Sequence, residues 1–214
     1  MQHVQPLPTY LIQRYRDWKD TTYEKSRGLL KHLASDGQHP RAMIISCCDS
    51  RVLVTSIFGA EPGDFFVHRN IASLVPPYET EGDCHGTSAA IEYAVSSLKV
   101  AHLLIIGHSN CGGVAGCHAM CSGNAPELEE KSSFVGRWMD ILRPGFERVH
   151  GKADDEIRAL EKEAVLISLE NLMTFPFVKS EVESGQLSLH GLWTDIGDGG
   201  LQHYDNESGE FKQI

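Results

Sequence analysis

Two polar motifs, each placed directly after a short apolar run, constrain this chain more than any other feature. The runs 42–46 and 103–106 predict buried strands, and the motifs that follow are SCCDSR and GHSNCGG. Because parallel strands end at the same edge of a sheet, we expect Cys47, His108 and Cys111 to meet there. Two thiolates and an imidazole suit zinc, and three protein ligands leave a fourth position for water. The sequence therefore predicts an open zinc site on a parallel sheet.

The order of the remaining elements predicts an α/β fold with a mostly parallel central β-sheet flanked by helices. Strands alternate with helices through the first half of the chain, as in right-handed βαβ units. Thr87 is the expected N-cap of one helix, and Gly199-Gly200 predicts a turn into a C-terminal edge hairpin. The predicted strands are 42–46, 65–68, 102–106, 187–196 and 201–204, and the predicted helices are 54–58, 87–98, 112–120, 133–150 and 154–174.

Residues 1–35 predict an N-terminal helical arm ahead of the zinc-binding domain 36–214. Apolar and aromatic side chains recur in it at helical spacing, and Asp36-Gly37 is expected to end its last helix. The arm contains no β-sheet of its own on which its apolar side chains could pack. It is therefore expected to pack either on its own domain or on a second subunit.

Composition excludes several classes of partner. The 214 residues carry a formal net charge of -10, which repels nucleic-acid phosphates. No apolar run approaches the roughly 20 residues of a membrane span, and the N-terminus lacks the pattern of a secretion signal. We expect a cytoplasmic protein whose six cysteines stay reduced and available to a metal.

The expected ligand set has consequences for charge. Two thiolates neutralise Zn²⁺, so a bound water should lose its proton less readily than in a three-histidine site, where its pKa is about 7. A reaction that uses this water should accelerate toward alkaline pH. Asp49 and Arg51 follow Cys47 at alternate positions, which allows Asp49 to face the metal while Arg51 holds it ionised and oriented.

The other cysteines have simpler interpretations. Cys48 should point away from Cys47 and serve as a core thiol. The helical cluster Cys117, His118 and Cys121 has no matching second pair, which favours packing over metal binding. Cys84 and His85 fall in a predicted loop and receive no role.

The motifs resemble those of the β-class carbonic anhydrases. The chain has CxDSR at 47–51 and HxxCGG at 108–113, with EPGD at 61–64 and RNIA at 69–72 between them. The resemblance extends over about residues 36–205 and is specific because the motifs occur together.

This resemblance implies a carbonate dehydratase, a lyase of carbon utilisation that interconverts carbon dioxide and bicarbonate. It implies one zinc per subunit on Cys47, His108 and Cys111, and a zinc-bound hydroxide oriented by Asp49 and Arg51. It also implies a homodimer or homotetramer, with no nucleic-acid or membrane partner.

The pocket residues are similar to those of the plant-type branch, and we expect a bacterial source. By this resemblance Gln38, Phe66 and Tyr93 line the substrate pocket, and the backbone N–H of Gly112 donates to a substrate oxygen. Gln38 would come from the neighbouring subunit, because the family builds its sites across a dimer interface.

The chain departs from the bicarbonate pocket of some bacterial members. The three positions of that pocket hold Ile44, Arg69 and Thr194, so only the arginine remains. We expect the pocket to be absent and Asp49 to stay off the metal at neutral pH. Nearby, His68 replaces a commonly apolar residue, either as a hydrogen-bonded structural histidine or as a proton shuttle.

Two alternatives remain open from the sequence. Relatives with the same fold and ligands hydrolyse carbonyl sulfide or carbon disulfide. In the other alternative the zinc is structural or sensory, which would require a fourth ligand such as Asp49 to close the site.

Overall fold

The computed structural model describes residues 3–81 and 85–214 and divides into two compact units, Met1–Gln38 and His39–Ile214. In the first unit, helix α1 (Thr9–Trp18) continues through the π-helical turn Lys19–Tyr23 into α2 (Glu24–Asp36). Gly37 then adopts a φ of 87° and donates its N–H to the carbonyl of Leu33, which ends α2 as expected. The functional division at residue 35 stays a prediction.

The second unit is an α/β structure built on a six-stranded sheet in the order β2-β1-β3-β4-β5-β6. Strands β2, β1, β3 and β4 are parallel, whereas β5 and β6 continue the sheet in antiparallel pairing. The predicted fold class is therefore confirmed. The strands are β1 (Ala42–Cys47), β2 (Phe65–Asn70), β3 (His102–His108), β4 (Ser188–Thr194), β5 (Leu201–Asp205) and β6 (Glu210–Gln213).

Helices connect and cover these strands. They are α3 (Val54–Ile57), α4 (His85–Glu92), α5 (Gly112–Cys121), α6 (Phe134–Met139), α7 (Arg143–Val149), α8 (Glu156–Leu172) and α9 (Pro176–Glu183), with a π-helical turn at Tyr93–Ser97 and short 3₁₀ turns. Among the described residues, no helix combines the length and apolar character that crossing a membrane requires.

Strand β1 lies at the centre of the core, and all of its residues are buried. Met43 and Ile45 pack on one face of the sheet with Leu103 and Ile105, while Ile44 packs on the other. Side chains alternate between faces along a strand, so burial on both sides explains the continuous apolar run. Burial of each such side chain contributes about 1.5–3 kcal/mol.

Helix α8 lies unusually close to β3, and Gly107 permits this approach. A Cβ at position 107 would come within 2.8 Å of Val165 Cγ2 and 3.2 Å of the Glu161 carbonyl oxygen. Asp155 caps the helix by accepting the N–H of Arg158 at 2.9 Å. This close packing brings the middle of α8 against the carboxyl end of the sheet.

Several local predictions were wrong. The helix predicted at 133–150 is divided by a 3₁₀ turn, Asp140–Leu142, because Pro144 has no N–H for a continuous helix and instead lies in the first turn of α7. Thr87 lies inside α4, where its hydroxyl contacts His68 and Asn70 rather than capping the helix. Helix α9 and strand β6 were not predicted, so β6 and not β5 forms the sheet edge.

Candidate metal centre

Three metal-ligating side chains meet at the carboxyl end of the parallel strands. Cys47 is the last residue of β1, His108 is the last of β3, and Cys111 immediately precedes α5. All three are buried, and their ligand atoms lie within 4.8 Å of one another. The two sulfurs are 4.0 Å apart, close to the roughly 3.8 Å expected for two sulfurs bound tetrahedrally to zinc at about 2.3 Å.

The imidazole of His108 is fixed in one tautomer. Its Nδ1 lies 2.9 Å from the carbonyl oxygen of Ser109, which can only accept, so Nδ1 carries the proton. Nε2 is buried and has no hydrogen-bond partner. A buried lone pair without a partner is costly, and a metal ion is the partner that this geometry fits.

The surroundings of the two thiols favour deprotonation of Cys47 first. Cys111 donates a hydrogen bond to Cys47, which lowers the pKa of Cys47 and raises that of Cys111. The backbone N–H groups of Asp49 and Ala72 also lower the pKa of Cys47, and those of Gly113 and Val114 oppose the rise at Cys111. Because metal binding requires thiolates, these donors favour the state that holds zinc.

Asp49 and Arg51 form a tight pair beside this group. Arg51 Nε donates to Asp49 Oδ1 at 2.9 Å and Nη2 donates to Oδ2 at 2.7 Å. The same Nη2 also donates to the carbonyl of Asn110 at 2.9 Å, which ties the two loops together. The guanidinium beside Asp49 holds the pKa of that carboxyl well below its usual range. A bidentate pair of this kind fixes both the charge and the direction of the carboxylate.

Arg69 holds the loop that carries Asp49. Its guanidinium donates to the backbone carbonyls of Cys47, Asp49 and Val52 at 2.7–2.9 Å. Ile44 is fully buried in the core and the Thr194 hydroxyl donates to the Gly200 carbonyl. These side chains therefore have structural partners in this protein.

Glu161 of α8 is a buried residue that the sequence analysis missed. Its Oε1 accepts the backbone N–H of Cys111 at 3.1 Å, so it fixes the residue that carries one thiolate. Burial raises the pKa of Glu161. An acidic residue on the apolar face of α8, one turn before Val165, was the available signal. Only the packing of α8 on β3 places it near the metal centre.

The segment after β2 is strained where it passes Cys47. Ala72 and Ser73 have φ values of 62° and 60°, which non-glycine residues rarely adopt. Ser73 Oγ donates to the Ile106 carbonyl at 2.7 Å, and Trp138 Nε1 donates to the Ile71 carbonyl at 2.8 Å. This conformation presents the Ala72 N–H to the Cys47 sulfur.

The predicted pocket residues belong to different elements of the chain. Phe66 and Tyr93 pack together with ring centroids 5.7 Å apart. Phe66 lies four residues before Asn70, the partner of Cys47 in the sheet, or about 13 Å along the strand. Gly112 occupies the first position of α5, whereas Gln38 is an exposed residue of the first unit.

The remaining cysteines and His68 also have definite positions. Cys48 is exposed, so its prediction as a core thiol was wrong: the chain turns outward directly after β1. Cys117 is buried and its sulfur lies 4.0 Å from that of Cys121, in agreement with packing. His68 Nε2 lies 3.0 Å from the Thr87 hydroxyl, which favours the structural interpretation. Cys84 lies outside the described residues, and His85 begins α4 rather than lying in a loop.

Comparison with known proteins gives a consistent result. A family model described as carbonic anhydrase matches residues 42–201. Beta carbonic anhydrase 3 of Arabidopsis thaliana is 35% identical over 199 residues, which cover 91% of this chain and 71% of that protein. The β-carbonic anhydrase CcaA has a TM-score of 0.83 at 32% identity, with 96% of this chain and 91% of CcaA covered. A tetrameric β-carbonic anhydrase of the filamentous ascomycete Sordaria macrospora has a TM-score of 0.70 at 28% identity, with 96% and 95% covered.

Proposed function

This chain belongs to the β-carbonic anhydrase family of zinc lyases, and from that premise we propose that it hydrates carbon dioxide reversibly with Asp49 and Arg51 as its catalytic dyad. The observation that supports this most strongly is the buried group of Cys47, His108 and Cys111, in which the His108 Nε2 lone pair has no partner. The Asp49–Arg51 pair lies on the loop that directly follows Cys47.

Cys47, His108 and Cys111 would hold the zinc. When bound, zinc lowers the pKa of a coordinated water and so supplies a nucleophile for carbon dioxide. The protein contributes a fixed tautomer at His108 and backbone N–H groups beside both sulfurs, which favour the thiolate state that zinc requires.

Asp49 would align the nucleophile. Oδ1 of Asp49 accepts both the backbone N–H and Nε of Arg51, whereas Oδ2 accepts only Nη2 and retains a second acceptor direction. An ionised carboxylate held in this way would accept a hydrogen bond from the nucleophile and so direct its free electron pair toward carbon dioxide. Because Asp49 is already bound to Arg51, we expect it to stay off the metal at neutral pH.

The substrate pocket would combine two copies of the chain. Phe66 and Tyr93 are too far along the sheet to line the zinc group of their own chain, and Tyr93 is 48% exposed. We propose that they, with Gln38, approach the zinc of a second copy. An apolar wall suits carbon dioxide, which carries no net charge. The N–H of Gly112, at the first position of α5, has no acceptor within the helix and would donate to a substrate oxygen.

Assembly and location follow from the same proposal. A homodimer or homotetramer would supply the second copy, and the arm 1–35 exposes Tyr10, Tyr15 and Trp18, which a partner subunit could cover. The name of the Sordaria macrospora relative describes a tetramer. We place the enzyme in the cytoplasm, where reducing conditions keep zinc-binding thiols free.

Stopped-flow hydration of carbon dioxide by protein of measured zinc content tests this function. The wild type should hydrate carbon dioxide, and D49N should retain zinc but lose about 10²-fold in kcat/KM, because the nucleophile is no longer aligned. D198N, which removes an exposed carboxylate, is the matched control and should match the wild type. Zinc-loaded wild type that hydrolyses carbonyl sulfide or carbon disulfide, but does not hydrate carbon dioxide, would contradict the proposal.

A further inference from the structure

A second group of metal-ligating side chains lies away from the buried centre. His118 comes from the last turns of α5, His150 follows α7, and Glu156 is the first residue of α8. Their ligand atoms also lie within 4.8 Å of one another. His118 is seven residues after Cys111, or roughly 10 Å farther along the helix, so this group is separate from the zinc ligands.

The three side chains converge on one atom. Glu156 Oε2 lies 2.8 Å from His118 Nε2 and 3.1 Å from His150 Nδ1. A carboxylate only accepts, so each facing nitrogen carries a proton in this arrangement. Two protons thus occupy positions where a single cation could bind all three groups. Glu156 Oε1 is fixed separately by the N–H of Gly151 at 2.7 Å.

The two imidazoles are also held by packing. The ring of Phe146 stacks on His150 with centroids 4.6 Å apart and an interplanar angle of 20°. Its edge meets His118 at 5.4 Å and 73°. The side chains of His118 and Glu156 are 23% and 24% exposed, and that of His150 is 57% exposed. An ion could therefore enter from the His150 side, and a water could complete its coordination.

We propose that His118, His150 and Glu156 form a second divalent-metal site whose preferred ion is zinc. Imidazole ligands favour zinc over magnesium or calcium, and two histidines with one glutamate are an established zinc ligand set. Ligand atoms bound tetrahedrally at about 2.0–2.1 Å are roughly 3.3 Å apart. The observed 2.8 Å and 3.1 Å distances need to expand by only a few tenths of an ångström.

An ion at this site would connect three elements. It would join the C-terminal part of α5 to the turn between α7 and α8, and its binding would stabilise the folded chain by mass action. Zinc binding here would require the proton on each facing nitrogen to move to the other nitrogen of its ring, which frees the lone pair for the ion. The site needs no substrate and does not depend on the proposed hydration activity.

Metal stoichiometry of the full-length protein tests the proposal. After equilibration with excess zinc and removal of unbound ion, the wild type should hold two zinc ions per chain. E156Q and H150A should each hold one. H102Q is the matched control, because His102 Nδ1 and His190 Nε2 form another close imidazole pair, 3.1 Å apart, and it should hold two.

Cobalt distinguishes the two centres by spectrum. Cobalt at the buried centre should show thiolate-to-metal charge transfer, whereas the second equivalent should add only the weaker bands of a nitrogen and oxygen site. That second component should disappear in E156Q and H150A.

Three results would overturn the proposal: one zinc per chain in the wild type, two in both variants, or loss of the second zinc in H102Q. Loss of both zinc ions from E156Q would indicate misfolding. In that case H150A is the variant that tests the proposal. The His150 side chain is 57% exposed, so its truncation should leave the fold intact.

Discussion

The two metal-ligating groups differ in how their atoms are satisfied without an ion. Cys47, His108 and Cys111 are at most 5% exposed, and the Nε2 atom of His108 has no partner. His118 and His150 instead donate to Glu156 and are partly exposed. The buried group therefore leaves a ligand atom available to a metal ion, whereas the ligand atoms of the other group hydrogen-bond to one another.

This difference predicts different affinities. An unpartnered buried polar atom costs about 1–3 kcal/mol, and a bound ion removes that cost. At the group of His118, His150 and Glu156, an ion must break two existing hydrogen bonds, and the proton must leave each facing ring nitrogen. The buried centre should therefore bind zinc far more tightly, and variants can separate the two centres.

The largest expected effect comes from removing one buried ligand. C111S should lose the buried zinc and at least about 10³-fold in kcat/KM, because three ligands are the minimum of a catalytic zinc site. It should retain zinc at the group of His118, His150 and Glu156. C48S is the matched control, because Cys48 is an exposed thiol next to a ligand, and should keep full activity. Equal activity of C111S and C48S would remove the distinction between the centres.

Replacement of Arg51 should have the next largest effect. R51Q should lower kcat/KM about 10²-fold, because Asp49 loses the fork that orients it. Arg51 lowers the pKa of Asp49, so its removal raises that pKa toward the ordinary value of about 3.9. Asp49 would still be ionised above about pH 6, and the loss should be uniform from about pH 6.5 to 9.

A pH-rate profile checks this reasoning. A loss in R51Q that grows steeply as pH falls toward neutrality would mean that Arg51 acts through ionisation rather than orientation. R137Q is a suitable control, since Arg137 is an exposed arginine outside the metal centre. Zinc content should be unchanged in both variants.

The smallest of the three effects concerns the support of the buried centre. E161A should weaken zinc binding at this centre by about 10-fold, because the N–H of Cys111 loses its acceptor. The variant should also be destabilised by about 1–3 kcal/mol, since that N–H stays buried. E170A removes an exposed surface pair of the same helix and should cost at most about 1 kcal/mol. Competition with a chelator and thermal unfolding measure the two quantities. Unchanged zinc affinity in E161A would show that the buried centre does not depend on this contact.

The sequence predicted the buried centre because Cys47 and His108 end apolar strands and Cys111 lies three residues beyond His108. Parallel strands end at a common edge, so Cys47 and His108 had to be neighbours once β1 and β3 paired. The Asp49–Arg51 contact was equally local, since a single residue separates them. The fold class followed from the alternation of strands and helices.

Glu161 and the group around Glu156 could not be predicted in this way. Cys111 and Glu161 are fifty residues apart and meet only because Gly107 lets α8 pack close to β3. His118, His150 and Glu156 lie on three elements with no shared motif. The pattern around His118 indicated packing with Cys117 and Cys121 instead.

By itself the sequence determined the four parallel strands, the motifs after β1 and β3 and the chemistry of the buried ligands. These depend on local apolar runs and short spacings, which the backbone geometry of a parallel sheet converts directly into proximity. The tertiary structure alone decided which residues support those ligands and which distant side chains form the second group. Such contacts depend on how helices pack, and packing is set by shape complementarity summed over many side chains rather than by any short segment.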